Sequence, residues 1–191
     1  SEQNKNYKVY AVVAPSISSQ FTYAKLGQVI TGLKELGFFT VVEAALGADM
    51  VAQAESKELS EKGFLTSSCC PAFVQYIKSA FPDMLPLVSH NLSPMATLAK
   101  YIKSIDENAK VVFIGPCASK KLEASRRSVR SDVDFVITFE ELQGMFDSKD
   151  IDLSKFEAES SFHNATGAGR GYAVAGGVAS AIERCINEYY P

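Results

Sequence analysis

Two short apolar runs, "YKVYAVVAP" (residues 7–15) and "KVVFIGP" (110–116), constrain the fold of this chain more than anything else in it. Both are rich in β-branched residues, and their apolar cores do not alternate with polar residues, so each predicts a strand buried on both faces. Proline closes each run because it lacks the N–H a ladder needs. Between them, "QFTYAKLGQVITGLKELGF" carries Leu26, Ile30 and Leu33 at helical spacing, with Gly37 as a stop. "FTVVEAAL" reads as a second strand, "GADMVAQAESKELSEKG" as a second helix closed by Gly63, and "FLTSS" as a third, short strand. Strands alternating with helices predict a parallel sheet under covering helices.

The second half repeats the alternation. "AFVQYIKSAF" reads as a helix after Pro71 that stops at Pro82, and "LSPMATLAKYIKSI" as another with Ser93 as cap and Pro94 at its first position. "VDFVITFEELQGMF" is a strand leading into a helix capped at Thr138, residues 147–166 are loop, and "GAGRGYAVAGGVASAIERCINEYY" is a glycine-rich turn feeding a helix. "KSIDENAK" (103–110) is the expected join between two lobes, about 1–104 and about 105–191. The expected fold class is α/β: two lobes with mainly parallel sheets covered by helices.

The chain has 191 residues, 47% of them hydrophobic and 21% charged, enough for one domain or two closely packed lobes. A net charge of -3 argues against nucleic acid or an anionic membrane as partner. The N-terminus has no basic segment followed by a long apolar run, so no signal peptide or spanning helix is expected, and the location is expected to be cytoplasmic.

Four cysteines remain, and two of them, Cys69 and Cys70, are adjacent in "TSSCCPAFV" (66–74). A bridge between sequence neighbours is strained, which favours reduced thiols. Both sit where a strand is expected to end and Pro71 to open a helix, and unpaired N–H groups at a helix start lower a thiol pKa. "VVFIGPCASKKLEA" repeats the arrangement at Cys117. Strand ends at one edge of an open α/β sheet are where such folds bind ligands, so the two turns are expected to converge there. Taken singly, each thiol reads equally as a small buried hydrophobe. A thiol-redox domain lacks its Cys-x-x-Cys motif here.

"TSSCCPAFV" and "GPCASKKLE" resemble the first two signature segments of the iron-only hydrogenases, and "APS" (14–16), "ESKEL" (55–59), "SHNLSPM" (89–95), "DVDFVIT" (132–138) and "GAGRGYAVAGGV" (167–178) resemble that family in the same order. The resemblance implies a site between the lobes for an H-cluster: a [4Fe-4S] cluster joined to a two-iron site carrying CO, cyanide and a dithiolate. Cys70 and Cys117 match cluster ligands, and Cys69 matches the thiol that passes protons to and from the two-iron site. Lys120 matches the lysine that hydrogen-bonds a cyanide, and Pro15 and Ser16 match residues lining the dithiolate and the other cyanide. Glu55, Glu58 and Ser89 match the proton relay; a plain acidic helix face reads "ESKELSEK" almost as well. Glu123 matches the acid of the second signature, within reach of Lys120 or another neighbour, and Gly167 and Gly169 belong to the glycine-rich wall beside the two-iron site.

The family's third signature, with its two further cysteine ligands, is absent, and Cys185 reads as a structural thiol on a helix. The expectation is therefore a piece of a hydrogenase-like protein, apo and inactive by itself. Its parent would exchange H2 with protons, take electrons from a ferredoxin-like carrier or an attached iron–sulfur domain, and need hydrogenase maturation proteins. A glycine in "IGPC" resembles divergent, sensory branches. A second alternative is an iron–sulfur assembly relative without the two-iron site.

Overall fold

The computed structural model describes residues 7–158 and 165–190. Strand β1 (Val9–Val13) is followed by a single helical turn α1 (Ile17–Gln20), helix α2 (Leu26–Glu35), β2 (Thr40–Glu43), the long α3 (Ala44–Lys62), α4 (Pro71–Ala80) and α5 (Pro94–Ile105). Then come β3 (Lys110–Gly115), the short α6 (Ser119–Ala124), β4 (Phe135–Thr138), α7 (Phe139–Ser148), a turn α8 (Gly167–Arg170) and α9 (Gly177–Tyr189).

All strand pairs are parallel, in the order β2-β1-β3-β4. Consecutive residues Ala11, Val12 and Val13 are all buried, as are Val111 to Ile114, so both sheet faces are covered, as their unbroken apolar runs predict. β3 hydrogen-bonds directly to β1 across the join at 103–110, so one sheet takes strands from both halves of the chain and does not divide there.

Helix ends follow local chemistry. The Ser93 hydroxyl accepts from the Ala96 N–H with Pro94 at the first position, and Thr138 and Glu141 close a reciprocal capping box on α7. Gly63 ends α3 with φ of 74°, a left-handed conformation that costs glycine nothing. Where α3 meets α5 the backbones approach closely: a Cβ on Gly47 would lie 2.2 Å from the Pro94 carbonyl oxygen. Gly47→Ala is expected to destabilise the fold by about 1–3 kcal/mol through overpacking, read as a lower midpoint in chemical denaturation. An unchanged midpoint would show that the helices part freely.

Two sequence expectations fail. "FLTSS" is not a strand of the sheet; it makes one isolated parallel bridge, Thr66 to Val88, its backbone pairing with residues 87–89 through Thr66 N–H to the Leu87 carbonyl and Ser89 N–H to the Thr66 carbonyl, while Ser67 and Ser68 bond to Glu55 and the Asn91 carbonyl. The segment 147–166 is not all loop. α7 runs to Ser148, and a tight turn at Leu153–Lys155, capped by Asp152, sets the buried Leu153 into the core. Residues 159–164 of that segment lie outside the described residues.

Candidate active-site pocket

β1 and β3 are neighbours, yet the chain leaves β1 toward β2 on one side and reaches β3 on the other. Their carboxyl ends flank the crevice where open α/β sheets bind ligands. A pocket of about 200 Å³ lies there. Pro15 and Ser16 line it from the end of β1, Cys117 and Lys120 from the end of β3, and Cys69 and Tyr172 from the far walls. Ala44, Ala48, Met95 and Phe113 make the remaining surface apolar.

The two cysteine turns are held together by Lys120. Its Nζ donates to the Cys69 carbonyl oxygen at 2.8 Å and to Glu123 Oε2 at 2.7 Å, and both side chains of that ion pair are largely buried. One of the three ammonium hydrogens has no partner among the described residues. Glu123 thus sits beneath the lysine, as its spacing of three on a helix allows.

The adjacent thiols face different surroundings. Cys70 occupies the position before Pro71, makes no cap and is exposed; Cys69 is half-buried and lines the pocket. The expectation that every thiol at these turns has a lowered pKa needs correction. Burial pushes the Cys69 thiol up, and the Ser67 hydroxyl and the Lys120 charge offset this only in part. Cys117 is lowered, first by the Ser119 hydroxyl 2.8 Å from its sulfur and also by the N–H groups of Ser119 and Lys120. The two turns therefore hold thiols of opposite character: one kept protonated, one inclined to thiolate.

From Cys69 a run of polar groups leads outward. The Cys69 N–H meets Ser67 Oγ at 3.4 Å, and Ser67 Oγ donates to Glu55 Oε1 at 3.1 Å. Glu55 is completely buried. One helical turn on, Glu58 Oε2 accepts from Ser89 Oγ at 3.2 Å and from Asn91 Nδ2 at 2.8 Å, while Oε1 meets Lys62 Nζ at 2.6 Å and the exposed ring of His90 at 2.9 Å. The two carboxyls are driven apart. Burial raises Glu55, opposed by hydrogen bonds from Ser89, Ser67 and Ser68 and reinforced by the Glu58 charge. Burial opposes ionisation of Glu58 too, but Lys62 and His90 prevail and hold it down at about 2.

A carboxyl whose folded pKa lies above its unfolded value favours the fold while protonated. The contribution of Glu55 is thus complete below its ordinary 4.5 and lost as pH rises through the higher folded value. Glu55→Gln is expected to gain stability over the parent protein as pH rises from 4.5 to the raised folded value, read as a melting-temperature difference that widens across that window and levels off above it. A difference that is flat or narrows across that window would contradict the burial argument.

Gly167 and Gly169 do not line the pocket. α8 packs on α3 so closely that a Cβ on Gly169 would lie 2.3 Å from the Ala45 carbonyl oxygen, and the pocket wall from this segment is Tyr172 and Ala173. Cys185 is half-buried on α9 among Ala52, Ala181 and Ile182. Sequence reasoning missed Ser67, His90, Asn91 and Tyr172. Ser67 and His90 adjoin matched residues, and Tyr172 is the aromatic residue inside the glycine-rich segment.

The donor set fits an iron–sulfur group in part. A [4Fe-4S] cluster takes four thiolates; Cys70 and Cys117 offer two, and no three of His, Cys, Asp and Glu gather as a metal site among the described residues. Cys185 lies apart, in the cluster of Ala52, Ala181 and Ile182, and Cys69, which lines the pocket with Cys117 where Cys70 does not, has its thiol pushed up by burial, so neither completes the set. The apolar walls, the Lys120 donor and the protonated Cys69 suit a small group with anionic ligands. Among the described residues, no helix is long and apolar enough to cross a membrane.

Residues 7–191 match the family described as iron only hydrogenase large subunit, C-terminal domain. The chain is 30% identical to iron hydrogenase 1 of Clostridium pasteurianum over 95% of its own length and 37% of that protein. It is also 30% identical to the cytosolic Fe-S cluster assembly factor NAR1 of Eremothecium gossypii, over 70% of this chain and 31% of that one. Among solved structures, [FeFe]-hydrogenase HydA1 from Chlamydomonas reinhardtii superposes with a TM-score of 0.78 at 27% identity, covering 94% of this chain and 53% of that one. The chain thus spans about a third to a half of the length of these relatives.

Proposed function

The chain belongs to the iron-only hydrogenase large-subunit family, and on that footing we propose that it forms part of a domain interconverting H2 with protons and electrons, with Cys69 as the acid and base beside the iron group. One observation carries this reading: a run of polar groups from Cys69, whose backbone N–H meets Ser67 Oγ and whose thiol pKa that hydroxyl lowers, through Glu55, and the Ser89 that lowers its pKa, to Glu58 and the exposed His90 and Lys62.

Cys70 and Cys117 would ligate the iron–sulfur part, and Lys120 would turn its uncommitted N–H toward an anionic ligand such as cyanide, with Glu123 fixing its ammonium. Pro15 and Ser16 would close the pocket opposite them. When bound, such a group supplies the electrons and the place where hydrogen is made or split, and the protein supplies orientation, dryness and a proton path. The Cys69 thiol, kept protonated by burial, would give up its proton and recover it through Ser67 from Glu55. The Glu55 carboxyl has a raised pKa and so can carry a proton in a buried place. Ser89 Oγ has one hydrogen, donated to Glu58, and lies near enough to Glu55 to lower its pKa, so rotation about its Cβ–Oγ bond can pass a proton between the two acids. Glu58, ionised and paired at the surface, would exchange with solvent through His90. Two neighbouring acids with pKa values driven apart are the expected arrangement for such a relay. Electrons would come from a ferredoxin-like carrier or an attached iron–sulfur domain.

The assembly-factor reading draws on the NAR1 likeness. It would leave Cys69, Lys120 and Ser16 gathered on one pocket without a task. Hydrogen evolution from reduced viologen by the full-length protein, matured with its iron group, separates the two. Turnover that falls sharply in Glu55→Gln supports the proton path, and no turnover from a fully loaded protein rejects hydrogenase function.

A further inference from the structure

Two buried polar atoms among the described residues lack a hydrogen-bond partner: Glu55 Oε2 and the Tyr172 hydroxyl. Each such atom is costly to leave unpaired in the interior. They belong to one region. Tyr172 lines the pocket with Cys69, and it belongs to the apolar cluster that also takes in Ala52 and Leu59 of α3. Those two residues share a helix face with Glu55, three after the first and four before the second. The other oxygen of Glu55 is bonded to Ser67, two residues before Cys69. Burial pushes the Tyr172 phenol up, with the charges of Glu55 and Cys69 adding to it, so the hydroxyl keeps its proton and remains a donor.

We propose that Tyr172 is a positioning residue for the proton path, its hydroxyl and Glu55 Oε2 holding one water molecule between them beside Cys69. A phenol O–H donates to such a water, and the water donates to a carboxyl oxygen, so both orphaned atoms are satisfied at once. Two to four polar partners are what a buried water needs, and the Tyr172 hydroxyl and Glu55 Oε2 supply two. The water fixes the Glu55 carboxyl on the side facing away from Ser67, which leaves Oε1 aimed at the serine that serves Cys69. The positioning role rests on the proton-path reading; the bound water does not.

The test is infrared difference spectroscopy of the full-length protein, with the Glu55 carboxyl C=O band identified by its loss in Glu55→Gln. Tyr172→Phe removes one oxygen and keeps the ring, and it is expected to shift that band to higher frequency and to slow hydrogen–deuterium exchange of the carboxyl. A crystal structure of the unsubstituted full-length protein is expected to show an ordered water within about 3.2 Å of both oxygen atoms. An unmoved band in Tyr172→Phe, or no water at that position, would overturn the inference. If Glu55→Gln abolishes turnover while Tyr172→Phe leaves the band unmoved, only the role of Tyr172 falls. Full turnover in Glu55→Gln would overturn the proton path, and the positioning role with it.

Discussion

Replacing Cys69 by alanine in the full-length, iron-loaded protein is expected to lower H2 turnover by about 10²–10⁴-fold, the range general acid–base groups contribute. The reason lies in its surroundings. Cys69 is the pocket thiol whose burial keeps it protonated, and it stands at the inner end of the run through Ser67 and Glu55. The fold should survive the change. What Lys120 and Ser67 hold at this residue are its carbonyl oxygen and N–H, which alanine retains. Circular dichroism and iron content should therefore match the parent protein while turnover is lost. Turnover within a few-fold of the parent would show that protons reach the pocket by another way.

The second large effect concerns stability. Lys120→Met is expected to destabilise the fold by about 3–5 kcal/mol, the cost of leaving a buried charge unpaired. Glu123 is 5% exposed, and its ammonium partner also carries the only link from α6 to the Cys69 carbonyl among the hydrogen bonds described. Adding Glu123→Leu should restore much of the loss, because removing both charges removes the penalty. Chemical denaturation of the single and double variants reads this directly. A single variant as stable as the parent, or a double variant no better than the single, would mean that the pair is solvated and holds nothing together.

Much of the scaffold was legible because its signals are local. β1 ends just before Pro15, which has no N–H to give the ladder, while α5 begins at Ser93 and Pro94 and α7 at Thr138 with Glu141 three residues on, both helix starts set by hydrogen bonds within four residues. The pocket edge was legible only in part: Cys117 follows β3 of the parallel sheet, whereas the Cys69 turn follows no strand of it and is tied to that edge by the Lys120 hydrogen bond to its carbonyl. Illegible features depend on distant partners. "FLTSS" has a strand's composition, but its serines serve Glu55 and Asn91, and nothing local announces that. Helix-start chemistry alone predicts low pKa values at both turns, yet burial overrides it at Cys69 and not at Cys117. Leu153 looked like loop because its partners, Gly32 and Phe146, lie on other elements.

The central claim is that the pocket between the two cysteine turns receives a small iron group with anionic ligands. It is tested most directly by infrared spectroscopy of the full-length protein after reconstitution with iron, sulfide and a synthetic two-iron complex bearing CO and cyanide. The account predicts sharp carbonyl and cyanide bands that stay with the protein through desalting, with the cyanide bands shifted in Lys120→Met. A protein that assembles its iron–sulfur cluster yet retains neither set of bands would contradict it.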